Sequence, residues 1–150
     1  MLAAELPGAC FLDLYAGTGA VGLDAISRGA ARAIWVEGDR AVHRITQANV
    51  TRLAGDGQQV ICCPVERWVR QAGERLKADM AFADPPYAQT REKGLAELAC
   101  EIRQREVVAV GGLFIAEIPR QAPVDAWTGW RVLRDRNYGR TRLVIGQRVD

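Results

Sequence analysis

The sequence predicts an α/β protein built on a doubly wound, mostly parallel sheet with a C-terminal antiparallel hairpin. Three observations carry this expectation. Short apolar runs alternate with helical patterns from Cys10 to Glu117. The first run opens directly into a glycine-rich turn, Ala16-Gly17-Thr18-Gly19. The last section alternates polar and apolar residues on both sides of Asn137-Tyr138-Gly139-Arg140. Parallel neighbours need right-handed crossover connections, which place helices on both faces, whereas a hairpin adds antiparallel strands at one edge.

Taken in order, Cys10–Tyr15 reads as a buried strand. Ala20 to Arg28, apolar at Val21, Ala25 and Ile26, reads as a helix with Gly29 as its stop. Ala33–Val36 is a second strand closed by Glu37-Gly38-Asp39, and Arg40 to Leu53 follows as an amphipathic helix with Val42, Ile45 and Val50 among its apolar positions. Beyond a Gly55–Gly57 turn come a third strand, Val60–Cys63, and a third helix, Glu66–Leu76. The fourth strand, Asp79–Ala83, runs straight into Asp84-Pro85-Pro86-Tyr87. A helix from about Glu92 to Glu106 precedes a Gly111-Gly112 turn and a fifth strand, Leu113–Glu117. Trp130–Asp135 and Thr141–Gln147 form the hairpin.

At 150 residues the chain fits one domain with a single core. Its 49% hydrophobic and 25% charged residues are ordinary for a soluble globular protein. No apolar run approaches the roughly 20 residues that span a bilayer, and Met1–Glu5 lacks the basic start of a secretory signal. A cytoplasmic location with no membrane partner is the expectation. Cys10, Cys62, Cys63 and Cys100 show no C-x-x-C spacing, and His43 is the single histidine, so neither a metal site nor a disulfide framework is expected. Cys62 and Cys63 read as buried thiols and His43 as a surface residue. The net charge of +2 is uneven: Arg120 to Asp150 holds seven arginines against three aspartates. Phosphate contacts from Arg120, Arg136, Arg140 and Arg142 are one reading. A general preference for arginine, which outnumbers lysine 18 to 2, is the other.

Ligands of such sheets bind outside the carboxyl ends of the strands, where three loops stand out. In the first, Gly17 and Gly19 let the backbone approach a ligand, and the next helix presents its N-terminal N–H groups. In the second, Glu37 closes strand two 18 residues after Gly19, where an acid accepts hydrogen bonds from both hydroxyls of a ribose. Asp39 is the spare candidate. Together these two loops point to a nucleoside-containing cofactor. The third loop is Asp84-Pro85-Pro86-Tyr87. Two prolines stiffen it and leave carbonyls free as acceptors. An amino group on a planar ring has two N–H donors, which the Asp84 carboxylate and the Pro85 carbonyl would take, while Tyr87 stacks on the ring.

The D/N-P-P-Y/F motif after strand four, with a glycine-rich first loop, resembles the S-adenosylmethionine-dependent amino-group methyltransferases. Phe11–Ala30, Trp35–Arg40, Asp84–Tyr87 and Arg136–Thr141 together resemble the RsmD-like 16S ribosomal RNA guanine-966 N2-methyltransferases, a similarity that runs from Cys10 onwards. The resemblance implies S-adenosylmethionine contacts from Asp13, from Ala16, Gly17, Thr18 and Gly19, and from Glu37. It implies a catalytic, base-binding role for Asp84, Pro85 and Tyr87, and 16S rRNA or the small ribosomal subunit as partner. Family members carry an acid or amide after strand three near the adenine; here Cys63-Pro64-Val65-Glu66 leaves that contact to the Val65 backbone or to Glu66. The implied arrangement is one methyltransferase domain over residues 1–150, without the basic N-terminal hairpin and helix of the family. Asp84 is expected to act as an ordinary ionised carboxylate. The same loop chemistry serves adenine-N6 DNA methyltransferases and glutamine-amide methyltransferases of release factors, and a non-catalytic nucleic-acid-binding relic is the alternative from another class.

Overall fold

A computed structural model describes residues 2–72, 76–86, 88, 95–124 and 127–150. In chain order its elements are α1 (Leu2–Glu5), β1 (Cys10–Leu14), α2 (Ala20–Ser27), β2 (Arg32–Glu37), α3 (Arg40–Ala54), β3 (Gln59–Cys62) and α4 (Val65–Ala72). There follow β4 (Ala78–Ala83), α5 (Ala96–Gln104), β5 (Val108–Pro119), β6 (Trp130–Tyr138) and β7 (Thr141–Arg148). One sheet runs in the order β3-β2-β1-β4-β5-β7-β6. β1 to β5 are parallel, β7 is antiparallel to β5, and β6 is antiparallel to β7. The expected doubly wound sheet with a terminal hairpin is therefore present. From β1 the chain builds outward to β3 and then returns to β4 on the other side of β1. The carboxyl ends of β1 and β4 flank the resulting crevice.

β1 is buried at all five positions, which explains an apolar run without alternation. Leu12, Leu14, Ile34, Val36, Ala81, Ala83 and Phe114 form one core layer with Val65 and Val69 of α4 and Leu98 and Ile102 of α5. On the opposite face Phe11, Ala33, Trp35, Met80, Leu113 and Ile115 pack with Ala25 of α2 and Val50 of α3. Gly29, at φ 101°, closes α2 as expected, because an L side chain is strained there. The expected helix starting near Glu92 is seen as α5; residues 89–94 lie outside the described residues.

Four expectations change. Gly111 and Gly112 do not turn into a strand but lie inside β5, where the register jumps from Ala78–Val108 to Met80–Leu113. That is a bulge, and a Cβ on Gly112 would come within 2.7 Å of Val108 and 2.9 Å of the Asp79 carbonyl. The hairpin turn is tighter than the four residues suggested: Tyr138 pairs with Thr141, leaving Gly139-Arg140 with Gly139 at φ 60°. Cys62 is exposed and Cys63 half-buried, since β3 is an edge strand with no neighbour on one side. His43 is half-buried, with Nε2 3.4 Å from the Val60 carbonyl. Among the described residues no helix is long and apolar enough to cross a membrane.

Candidate active site

Strand register brings the candidate residues to one edge. Leu14 lies beside Val36 and Ala83, Glu37 beside Cys62, and Ala83 beside Ala116. Glu37, Tyr15, Asp84 and Glu117 therefore follow at one level across β2, β1, β4 and β5. Alternation along the strands turns Asp13, Glu37 and Glu117 to the face that carries Phe11, Trp35 and Ile115, towards α2 and α3.

The glycine turn is held from behind by its carbonyls. Thr46 Oγ1 donates to the Gly17 carbonyl (2.5 Å), Asn49 Nδ2 to Thr18 (3.0 Å), Trp35 Nε1 to Gly19 (3.0 Å), and the Gly19 N–H to Ala16 (2.8 Å). Gly17 and Gly19 sit at φ 57° and 84°, and Tyr15 enters the turn at φ 57°. A Cβ on Gly17 would meet no atom within 4 Å, so its outer side is open. Gly22 has another purpose: a Cβ there would stand 2.4 Å from Trp35 Nε1. It makes room for a buried indole.

Glu37 is oriented by two backbone donors, Gly17 N–H to Oε2 (3.0 Å) and Asp39 N–H to Oε1 (2.9 Å). Asp39, the spare candidate, is otherwise employed. Its carboxylate caps α3 by accepting from Ala41 N–H (2.8 Å) and Val42 N–H (3.0 Å). Glu66 lies at the start of α4, where the Tyr15 hydroxyl donates to it. Burial first, then this partner, raises the Tyr15 pKa. The Val65 side chain belongs to the core, which leaves only its backbone facing the edge of the site.

Asp13 is 1% exposed and accepts from Gly22 N–H at 2.9 Å. Burial, together with the charges of Asp84 and Glu37, pushes its pKa up to about 7 against the opposing pull of that N–H. Between about pH 4 and 7 the folded protein then binds more protons at Asp13 than the unfolded chain does. Stability contributed at this position is greatest below that window and falls as pH rises through it. Asn keeps an oxygen for the Gly22 N–H but carries no charge. Urea unfolding midpoints of the wild type are expected to drop more from about pH 5 to about pH 8 than those of Asp13→Asn; superimposable pH profiles would contradict this.

Asp84 stands at the crevice mouth, followed by a buried Pro85 and an exposed Pro86. Partial burial raises the pKa of this otherwise exposed carboxyl, a shift that the expected role of an ionised acceptor does not require. Tyr87 lies outside the described residues. Glu117 was not among the candidates, yet burial and the nearby Asp84 charge raise its carboxyl too. Its sequence signal, an acid closing the apolar run Leu113–Ala116, is the one that singled out Glu37. Of the four arginines, Arg120, Arg136 and Arg140 are exposed. Arg142 is engaged within the fold, donating to both Asp135 carboxylate oxygens (2.6 and 2.5 Å) and to the Ala122 carbonyl (2.9 Å). Arg131 and Arg134 add two further exposed cations on β6.

A family profile described as "Conserved hypothetical protein 95" matches residues 1–147. The chain is 30% identical over 148 residues to "Putative rRNA methyltransferase YlbH" of Bacillus subtilis (strain 168), a match covering 97% of this chain and 79% of the relative. With "Ribosomal RNA small subunit methyltransferase D" of Escherichia coli (strain K12) it shares 35% identity over 96 residues, 64% of this chain and 46% of that protein. The solved structure "Putative methyltransferase yhhF from Escherichia coli" superposes with a TM-score of 0.85 at 28% identity, covering 99% of this chain and 80% of that one. With a match along almost its whole length and the same sheet, the chain belongs to the RsmD-like family of S-adenosylmethionine-dependent methyltransferases.

Proposed function

We propose that the protein moves the methyl group of S-adenosylmethionine to the exocyclic N2 amino group of a guanine in 16S rRNA, free or within the small ribosomal subunit. The observation that carries this is the meeting, at the β1/β4 switch point, of the Gly17–Glu37 cradle with the Asp84-Pro85-Pro86 loop. The cradle suits the cofactor in three ways. Glu37 is fixed by two N–H donors and, as a carboxylate with about four acceptor positions, still has room for ribose hydroxyls. The outer side of Gly17 is open. A buried acid at Asp13, disfavoured by its acidic neighbours, gains from a positive charge nearby. When bound, S-adenosylmethionine supplies a methyl group on a positively charged sulfur.

The roles of this chain's own residues follow from that placement. Asp13 and the Ala16–Gly19 turn hold the cofactor, Glu37 binds its ribose, and the start of α4, Val65 backbone and Glu66, borders its adenine. A base amino group is a poor nucleophile because its lone pair is delocalised into the ring. The Asp84 carboxylate and the Pro85 carbonyl accept its two N–H groups, which favours a nitrogen whose lone pair is free to attack. The proton lost from that nitrogen passes to Asp84, whose raised pKa makes it a better acceptor than a free carboxylate. Holding both partners in line supplies most of the remainder, roughly 7–11 kcal/mol for well-oriented groups. Tyr87 keeps its expected stacking role. Such a base must be unstacked first, which suits an RNA loop or flipped nucleotide. The exposed Arg120, Arg136 and Arg140 are suited to the flanking phosphates.

The test is labelled-methyl transfer to four acceptors side by side: small subunits lacking the modification, naked 16S rRNA, duplex DNA and a release factor. Label is expected in the ribosomal RNA. Label in DNA or release factor, or in none of the four, overturns the proposal.

A further inference from the structure

The carboxyl edge holds one acid that the proposed chemistry does not use. Glu117, inside β5, stands at the level of Asp84, the first residue past β4, because Ala83 and Ala116 are paired neighbours. It shares a face with Ile115 two residues earlier and pairs across β7 with Leu143. Phe82, two residues before Asp84, shares that face with Ile115 and Leu143, and the three border a cavity of about 320 Å³ that extends away from the carboxyl edge towards Leu6 and Phe11. Along β4 and β5 the same face is therefore apolar at the paired Phe82 and Ile115, and the next residues on it are the two carboxylates, Asp84 and Glu117. Among the described residues no cation or hydrogen-bond donor engages the Glu117 side chain, and the charge it senses is that of Asp84. A half-buried carboxylate left in this state is costly unless something donates to it.

Apolar faces with a polar edge are the shape of a nucleobase, and base edges differ in what they present. Guanine shows N1–H and N2–H side by side, two parallel donors that one carboxylate accepts together. Adenine and cytosine show an amino group beside a ring-nitrogen acceptor, which would face the carboxylate lone pair to lone pair. Resting on the guanine reading above, we propose that Glu117 is the specificity residue of the site: its carboxylate accepts N1–H of guanine and shares the adjacent N2–H with the Pro85 carbonyl, while Asp84 accepts the other N2–H, the proton that departs on transfer. The raised pKa of Glu117 agrees with this, since a carboxyl so placed gains from two donors. Rejection works by the same means. An acceptor pushed against a desolvated carboxylate leaves two unpaired groups, the arrangement that gives sites their strongest discrimination.

The experiment uses the full chain and 16S rRNA whose methyl-accepting guanosine has been located by the labelled transfer. That guanosine is replaced through splinted ligation by 2-aminopurine riboside, which keeps the 2-amino group but has an acceptor at N1. Wild type is expected to favour guanosine by roughly 100-fold or more in kcat/KM. Glu117→Gln, nearly isosteric, offers an N–H to that N1 and a carbonyl to N2–H. Its preference is expected to shift towards 2-aminopurine by at least about 10-fold, and Glu117→Ala to lose discrimination against it without gaining any for it. S-adenosylmethionine affinity by calorimetry, expected within about 3-fold of wild type for both variants, reports that the fold is intact. A preference in Glu117→Gln equal to that of wild type overturns the role of Glu117 and leaves the guanine reading standing. Absence of any guanosine acceptor for the wild type overturns both.

Discussion

Asp84→Ala is expected to bind S-adenosylmethionine within a few-fold of wild type and to lose methyl transfer by on the order of 10³-fold. The separation follows from position. Asp84 directly follows β4, across the switch point from the Gly17–Glu37 cradle, and in the proposed reaction it accepts from the nucleophile. Removing it leaves a base amino group with one acceptor fewer and no partner for its proton. Glu37→Ala is the reciprocal variant. It loses charge-assisted hydrogen bonds worth about 1.5–3 kcal/mol, so calorimetry should show cofactor affinity roughly 10- to 100-fold weaker. Transfer by Asp84→Ala near the wild-type rate would remove Asp84 from the chemistry, and unchanged affinity in Glu37→Ala would remove Glu37 from the cofactor site.

Trp35→Ala carries the largest expected cost in stability, about 3–5 kcal/mol by chemical denaturation. Trp35 is fully buried, fills the space that Gly22 leaves open, and donates to the Gly19 carbonyl. Its loss opens a cavity behind the glycine turn and strands a buried acceptor. Trp35→Phe separates the two contributions. Much of the volume remains, so the stability loss shrinks, while the missing N–H still loosens the turn and weakens cofactor binding. A loss below about 1 kcal/mol for Trp35→Ala would contradict the packing described, since even modest core truncations reach that size.

These two residues also show what was legible in the sequence. Trp35 stood in a run with no alternation, and such a run means a strand covered on both faces; that much could be read. That Gly22 exists to admit its indole could not, because the two meet only after α2 folds back on β2. By spacing Glu37 was the first candidate and Asp39 the spare. The choice between them is made by capping: Asp39 directly precedes α3, so its carboxylate is consumed by Ala41 and Val42 N–H groups. A glycine pair ahead of an apolar run fits a turn or a bulge equally, and only pairing with β4 identifies the bulge at Gly111-Gly112. The raised carboxyls of Asp84 and Glu117 depend on strands that lie side by side in space but 33 positions apart in sequence. Tyr15 and Glu66 meet across 51 positions for the same reason. The carboxyl ends of the strands were legible from periodicity, and the acids that stand there from the sequence itself. The burial and mutual charge that tune it required the assembled sheet.

If this edge binds a planar amino group and methylates it, the identity of the methylated nucleoside is the decisive readout. Small ribosomal subunits lacking the modification, treated with the protein and labelled S-adenosylmethionine, are digested to nucleosides and resolved by mass spectrometry. Label is expected in N2-methylguanosine, and none after treatment with Asp84→Ala. Label on a ring nitrogen, a ribose oxygen or a carbon, or equal label with both proteins, would contradict it.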